Sequence, residues 1–269
     1  MTNPDSFNLK SISIILPVYN EEAQIADTLA VLEKEAGQSA ELIVADGGSH
    51  DRTAEIARGF RSVFNVHSEV GQVQNLTHQI KKSHTAANSY KSVQTVVCDR
   101  ANRGWQMNEG AKVANGEILL FVHADVKLPV GALDSIRQAL TDEAVLGGCF
   151  QIRFPAGASA SLRAVAWGIN LRTRWFKTAT GDQAIFVRRR IFEEVGGYET
   201  FPLMEDIALF NELKRRGRVV VLDWRVEISP RRWLKFGVWR TVLLMYVLRI
   251  GYWLGIHPAT LKKFFIDVR

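Results

Sequence analysis

Residues 11–22 read SISIILPVYNEE and residues 41–51 read ELIVADGGSHD. The Ile-rich run Ser11–Leu16 is too short for a helix and is apolar throughout, as expected of a strand covered on both faces. Pro17 ends it, and Asn20 is placed to cap a helix beginning at Glu21, which Leu29, Leu32 and Ala36 carry forward to Gly37. Glu41–Ala45 is a second strand, DGGSHD a turn, and Thr53–Phe60 a short helix. Strand, helix, strand, helix in this order predicts a parallel sheet with crossover helices, an α/β fold.

The same rhythm continues outward. Strands are expected at Val93–Val97, Glu117–Val122, Gly147–Phe154, Ala184–Val187 and Arg218–Leu222. Helices are expected at Arg103–Ala114, Gly131–Leu140, Ser159–Lys177 and Asp206–Arg216. Trp167 and Trp175 lie on nearly one face of the third of these. Residues 67–92 are rich in Gln, Asn, His, Ser and Lys with little periodicity, and read as an inserted loop. No internal repeat or linker divides the chain, so residues 1–228 are expected to form one domain, with a helical segment at 229–269 packed on it.

Composition narrows the function. Of 269 residues, 47% are hydrophobic and 23% charged, a globular balance that excludes disorder and collagen. No apolar run is long enough for a conventional membrane span, and MTNPDSFNLK at the start lacks the apolar core of a secretory signal; a cytoplasmic location, peripheral on the inner face of the cell membrane, is expected. Cys98 and Cys149 are too few for a disulfide scaffold and read as buried thiols. The net charge is +6. Seven basic residues and no acid lie between Ile228 and Ile266, so the rest of the chain is close to neutral. These bases alternate with Trp233, Phe236, Trp239, Tyr246, Tyr252 and Trp253 and do not form a Lys/Arg block. That pattern suits an anionic membrane surface or a phosphate-bearing substrate better than nucleic acid. A helix docked on the core with a few solvated charges is the alternative. Along the helix, Arg249 lies about 40° from Lys235 and Arg240 about 140° from it, so no single polar stripe is expected.

In an open parallel sheet, ligands bind beyond the carboxyl ends of the strands. Four such ends carry polar groups: Pro17 to Glu22, Asp46 to Ser49, Arg103 with its neighbours, and His123-Ala124-Asp125. Tyr19 can stack on a base or pack on the first helix. Asp46 can accept from a base or ribose, or cap its own turn. Gly47 and Gly48 permit close approach of a ligand to the backbone. Asp125 follows ILLFV, a carboxylate at the rim of a dry sheet, where a divalent cation shared with a diphosphate would sit. Neither GxGxxG nor GxxxxGK[ST] occurs, which disfavours a dinucleotide oxidoreductase and a P-loop enzyme.

SIILPVYNEE, LIVADGGSHD, NRGWQMNEGA, ILLFVHADV, GDQAIFVRR, PLMED and RRW together resemble glycosyltransferase family 2, nucleotide-sugar enzymes of GT-A fold. QMN, HAD, GDQ and PLMED are similar to a bacterial subgroup of small, single-domain members. The resemblance implies that Pro17, Tyr19, Glu21, Asp46 and Arg103 hold the nucleotide, with Arg232 and Trp233 at the diphosphate. It places His123-Ala124-Asp125 where the family has Asp-X-Asp, with Asp125 as ligand to Mn²⁺ or Mg²⁺. His123 is either a second ligand, favouring Mn²⁺, or a structural ring. It implies that Asp206 of the Glu205-Asp206 pair is the catalytic base, the alternative being a helix N-terminal acid. Gly181, Asp182, Gln183 and Glu205 fall on the acceptor side. Ser229 stands where Gln-X-X-Arg-Trp would have its Gln, which argues against a processive synthase. The expected activity is metal-assisted, inverting transfer of a sugar from a UDP- or GDP-type donor to a lipid-like or membrane-near acceptor. Two rivals are a catalytically inactive relative acting as a membrane-binding or scaffold module, and a nucleotidyltransferase, which should show a Gly-rich loop with Arg and a Lys after the first strand.

Overall fold

Every residue of the strand Ile12–Val18 is buried, as a strand with helices on both faces requires. Ile12, Ile14, Leu16 and Val18 enter one core and Ile15 the other, following the two-residue period of a strand. The structure is a computed structural model that describes residues 11–37, 39–60 and 93–265. The inserted segment 67–92 and the N-terminal decapeptide lie outside the described residues.

In chain order the elements are β1 (Ile12–Val18), α1 (Ile25–Ala36), β2 (Ala40–Asp46), α2 (Thr53–Gly59), β3 (Gln94–Val97), α3 (Arg103–Val113), β4 (Ile118–Phe121), β5 (Val126–Lys127), α4 (Ala132–Ala139), β6 (Val145–Arg153), α5 (Ala160–Phe176), a 3-10 turn (Gly181–Gln183), β7 (Ile185–Arg188), α6 (Arg189–Glu194), α7 (Glu205–Arg216), β8 (Arg218–Ile228), α8 (Arg231–Phe236), α9 (Val238–Trp253) and α10 (Pro258–Lys262). The described strands form one sheet in the order β3-β2-β1-β4-β7-β6-β8-β5. β1 to β4 are mutually parallel, and β6 runs parallel to β8. β7 opposes both its neighbours and β5 opposes β8. The expected mostly parallel α/β sheet is therefore present, with two strands reversed.

Helices α1, α2, α4 and α5 bury side chains in the core on one face, and α3, α6 and α7 on the other. Asn170 fixes α5 to β6: its amide accepts from the Ile152 N–H at 2.8 Å and donates to the Ile152 carbonyl at 2.9 Å. Cys98 and Cys149 are buried free thiols. Burial pushes the Cys98 thiol up to about 11 and the Cys149 thiol up to about 12.

Two boundaries differ clearly from the sequence expectation. Helix α1 begins at Ile25, and Asn20 does not cap it. Asn20 instead has φ +53° and ties two loops together, its backbone N–H donating to Ser49 Oγ and its side chain accepting from the His50 N–H. The Glu21 and Glu22 N–H groups go to Thr53 and Asp51 of the second loop, so they do not start a helix. Strand β8 runs on to Ile228, past the expected Leu222. Its exposed middle hides the alternation, and the register against β6 shifts between Phe150 and Gln151. α6 and the two-residue β5 have too little period to be read from sequence.

Candidate functional site

One rim of the sheet collects the chemistry. β1, β2, β4, β6 and β8 end there, and β7, running the other way, begins there. The loops beyond these ends enclose a cavity of about 180 Å³. Its walls include Pro17, Tyr19, Glu21, Arg103, His123, Asp125, Asp182, Asp206, Arg232 and Trp233. Asp46, Gly181, Gln183 and Glu205 do not line it. Among the described residues, three of the four non-glycine positions with positive φ, Asn20, Ala184 and Met204, flank this rim. Such conformations cost of order 1–3 kcal/mol each and persist where the surroundings impose them.

His123, Asp125 and Asp182 present one nitrogen and two carboxylate oxygens within 4.8 Å of one another. The His123 ring is buried and its Nδ1 lies 3.4 Å from Asp182 Oδ1. It rests directly on Gly181, where an added Cβ would meet the ring Cε1 at 2.1 Å. Burial and the neighbouring Asp182 charge push the Asp125 carboxyl above its usual range, against the pull of His123. For Asp182, burial raises the pKa, but the His123 hydrogen bond and the charges of His123, Arg103 and Arg232 outweigh it and hold the carboxyl below its usual range. A mixed nitrogen and oxygen set of this kind fits a divalent cation, and the imidazole suits Mn²⁺ better than Mg²⁺.

Asp206 sits in the first turn of α7, behind Met204 at φ +69°. Its Oδ2 accepts from the Gly181 N–H at 2.7 Å and its Oδ1 from the Ile207 N–H at 2.7 Å. Burial, then the adjacent Glu205 charge, push its carboxyl up to about 6, against Arg103 and the two N–H donors. Glu205 is 1% exposed and pairs with Arg103 Nε at 3.0 Å. Arg103 is the first residue of α3, whose N-terminus is capped by Asn102 accepting from the Trp105 N–H. The acidic pair thus divides: Glu205 is turned into an ion pair, and Asp206 faces the cavity.

Asp46 is buried and spends its carboxylate on its own loop, accepting from the Gly48 and Ser49 N–H groups and the Ser49 hydroxyl. Gln183 points inward, donating to the Phe150 carbonyl at 3.0 Å and to Thr173 Oγ1 at 3.1 Å. It anchors the 3-10 turn that carries Gly181 and Asp182. Trp233 packs edge-on against Phe154 in the main core while bordering the cavity. The Arg232 guanidinium stacks over Phe265 at 4.4 Å, and Ser229 donates its N–H to the Asp125 carbonyl at 3.2 Å. Leu203, Met204 and Ile207 form a third apolar cluster with Leu248, Leu261 and Phe265, so the C-terminal helices hold the start of α7.

Sequence reasoning put Asp182 on the acceptor side and did not group it with His123 and Asp125. That grouping depends on β7 being antiparallel to β4, which brings the start of one strand to the end of the other. It also missed Arg231 and Arg249 in the cavity wall; the acid-free run of bases was the available signal.

Residues 13–196 match the family model described as Glycosyl transferase family 2. The chain belongs to this family. A poly-beta-1,6-N-acetyl-D-glucosamine synthase of Staphylococcus epidermidis is 23% identical over 97% of this chain and 58% of that protein. A 4,4'-diaponeurosporenoate glycosyltransferase of Staphylococcus haemolyticus is 32% identical over 44% of this chain and 25% of that protein. The chain thus spans little more than half the length of the synthase. Among solved structures, the mannosyltransferase PcManGT from Pyrobaculum calidifontis, in complex with GDP-Man and Mn²⁺, superposes with a TM-score of 0.62 at 18% identity, covering 88% of this chain and 61% of that one. S. aureus TarS residues 1–349 in complex with UDP superposes at 0.58 with 16% identity, covering 84% and 62%. The fold is that of GT-A glycosyltransferases. No helix among the described residues is long and apolar enough to cross a membrane.

Proposed function

We propose that this family 2 chain transfers a sugar from a nucleotide sugar to a lipid-like acceptor by a single inverting displacement, without processive elongation. One observation carries the reading: Asp206, its carboxyl pushed up to about 6, faces the same cavity as the His123, Asp125 and Asp182 cluster. A general base works best with a pKa near the operating pH. Asp206 takes the proton of the acceptor hydroxyl as that oxygen bonds to the anomeric carbon. The bond from this carbon to the diphosphate oxygen breaks, and its electron pair leaves with the nucleoside diphosphate. Arg231 and Arg232 place positive charge where the departing diphosphate gains negative charge. Tyr19, Pro17 and Glu21 border the nucleoside end; Asp46 acts there by shaping its loop. His123, Asp125 and Asp182 would hold Mn²⁺ or Mg²⁺, which when bound supplies Lewis-acid stabilisation of the leaving group.

The reading extends to a peripheral membrane contact. Trp167, Trp175, Trp239 and Trp253 are 68%, 72%, 68% and 84% exposed, beside a stretch with seven bases and no acid. Exposed aromatic rings interspersed with bases suit the headgroup region of an anionic bilayer.

The test is thermal shift with a panel of UDP- and GDP-sugars and Mn²⁺, followed by detection of transfer or donor hydrolysis. A donor that binds only the folded state raises Tm. A panel with neither a shift nor any turnover would overturn the enzymatic reading in favour of an inactive relative.

A further inference from the structure

Two arginines outside the transfer chemistry just described lie in a groove between α5 and α9. Arg172 Nε and Nη2 and Arg249 Nη1 are shut off from water and have no hydrogen-bond partner among the described residues. A buried guanidinium left without an acceptor is costly, and its planar fork matches an oxyanion. Burial holds the Arg172 pKa below its ordinary value, partly offset by the charge of Asp206.

The groove around them is apolar. Val165, Gly168 and Ile169 precede Arg172 on one face of α5, at the i, i+3, i+4, i+7 spacing of a single helical stripe. Trp239 and Val242 face them from α9. The groove holds about 190 Å³. It shares Trp233, Met245 and Arg249 with the cavity that contains Asp206, so its charged end adjoins the transfer site. Gly168 leaves space inside it: a Cβ at this position would meet nothing within 4 Å.

We propose that this groove binds the acceptor as a single-chain amphiphile that carries, besides its attacking hydroxyl, an oxyanion head, carboxylate or phosphate, on Arg172 and Arg249, with its apolar chain between α5 and α9. The proposal rests on the transfer reading for the word acceptor; the binding itself does not. Charge complementarity selects this occupant over a neutral lipid. Nothing else among the described residues satisfies the three buried nitrogens, and the groove is too apolar for a free inorganic anion.

Binding is measured on the full chain by tryptophan fluorescence, with Trp233 and Trp239 as reporters, and by thermal shift. The probes are dodecyl phosphate and dodecanoate as monomers, dodecyl maltoside as a neutral chain, and inorganic phosphate as a head alone. Both anionic amphiphiles should raise Tm and bind at least about tenfold more tightly than the other two, since a hydrogen bond to a charged group contributes more than a factor of ten. Arg172→Gln with Arg249→Gln should abolish that preference. The unliganded Tm of Arg172→Gln should equal or exceed that of the parent, because the change removes a charge without a partner; a large drop would show Arg172 to be a structural residue and overturn its assignment. Gly168→Leu, which fills the groove from a helical position with room for a side chain, should lose amphiphile binding while keeping nucleotide-sugar affinity with Mn²⁺. Retained amphiphile binding in Gly168→Leu, equal affinity for dodecyl maltoside, or binding to anionic vesicles with none to monomers would each overturn the proposal. Loss of donor binding in the parent chain would instead count against the transfer reading and leave the groove standing.

Discussion

Gly181→Ala is the smallest change that tests the cation cluster. Gly181 has an ordinary backbone conformation, not a left-handed one, so the new methyl acts through contact alone. Its Cβ would stand 2.1 Å from His123 Cε1 and 2.3 Å from Nε2. Carbon atoms pack comfortably at about 3.5 Å or more, so ring and turn must separate by roughly 1.4 Å. Metal ligands tolerate displacements of only about 0.2 Å. The ring is buried and cannot swing freely into solvent. If the turn moves instead, it carries Asp182 with it and breaks the 2.7 Å bond from Gly181 to Asp206. Overpacking should cost about 1–3 kcal/mol of stability, and Mn²⁺ affinity should fall at least tenfold, about the low end for disturbing the support of a ligand. Calorimetric titration of Mn²⁺ into the full chain reads the second quantity and thermal melting the first. Gly168→Ala is the control: it meets no atom within 4 Å, gains helix propensity of about 1 kcal/mol, and should keep parental Mn²⁺ affinity. Parental affinity in Gly181→Ala would falsify the assignment of His123 and Asp182 as ligands on opposite sides of this contact.

Asp206→Asn should leave donor affinity nearly unchanged and reduce transfer by at least about 10²-fold; a collapse of donor binding would make Asp206 a binding residue. The pH dependence follows from the same group. Its carboxyl is raised from 3.8 to about 6 in the folded chain, so its contribution to stability is present below pH 3.8 and lost as the pH rises through 6. Asp206→Asn should therefore melt higher than the parent above pH 6, and transfer by the parent should fall below that pH as the base protonates. Arg103→Gln leaves Glu205 buried without its partner and should cost about 3 kcal/mol or more in denaturant unfolding, with Glu205→Gln added in the same chain restoring most of it. Liposome co-sedimentation should require anionic lipid, weaken with salt, and drop about fivefold for Arg240→Gln, each base near the surface contributing roughly 1 kcal/mol; equal recovery in the supernatant with and without anionic vesicles refutes the membrane contact.

Much of the fold was legible because the buried parallel strands announce themselves. Ser11–Leu16, Glu41–Ala45 and Glu117–Val122 are apolar without alternation, which only a doubly covered strand demands. The strand ends then located the polar rim, since ligands in such sheets gather at the carboxyl ends. Less legible was everything that depends on direction or contact across the sheet. Asp182 joined His123 and Asp125 only because β7 runs against β4. A four-residue strand reads the same in either direction, so its polar neighbours could be assigned to the wrong end.

Residue type also misled where one group could serve two purposes. Asp46 and Gln183 carry the right atoms for a ligand, yet both are consumed by the loops they stand in. What they contribute is placement: Asp46 sets the loop beside Tyr19, and Gln183 holds the turn that presents Gly181 to Asp206 and Asp182 to His123. Their loss should therefore weaken binding through displaced neighbours, not through a missing contact. The reverse holds for Arg172 and Arg249. The sequence marks Arg249 only as one member of an acid-free run of bases and Arg172 not at all, since a basic residue in an aromatic helix is ordinarily solvated at its tip. Their burial, with donors left unpaired among the described residues, is what singles these two bases out as a place for an anion.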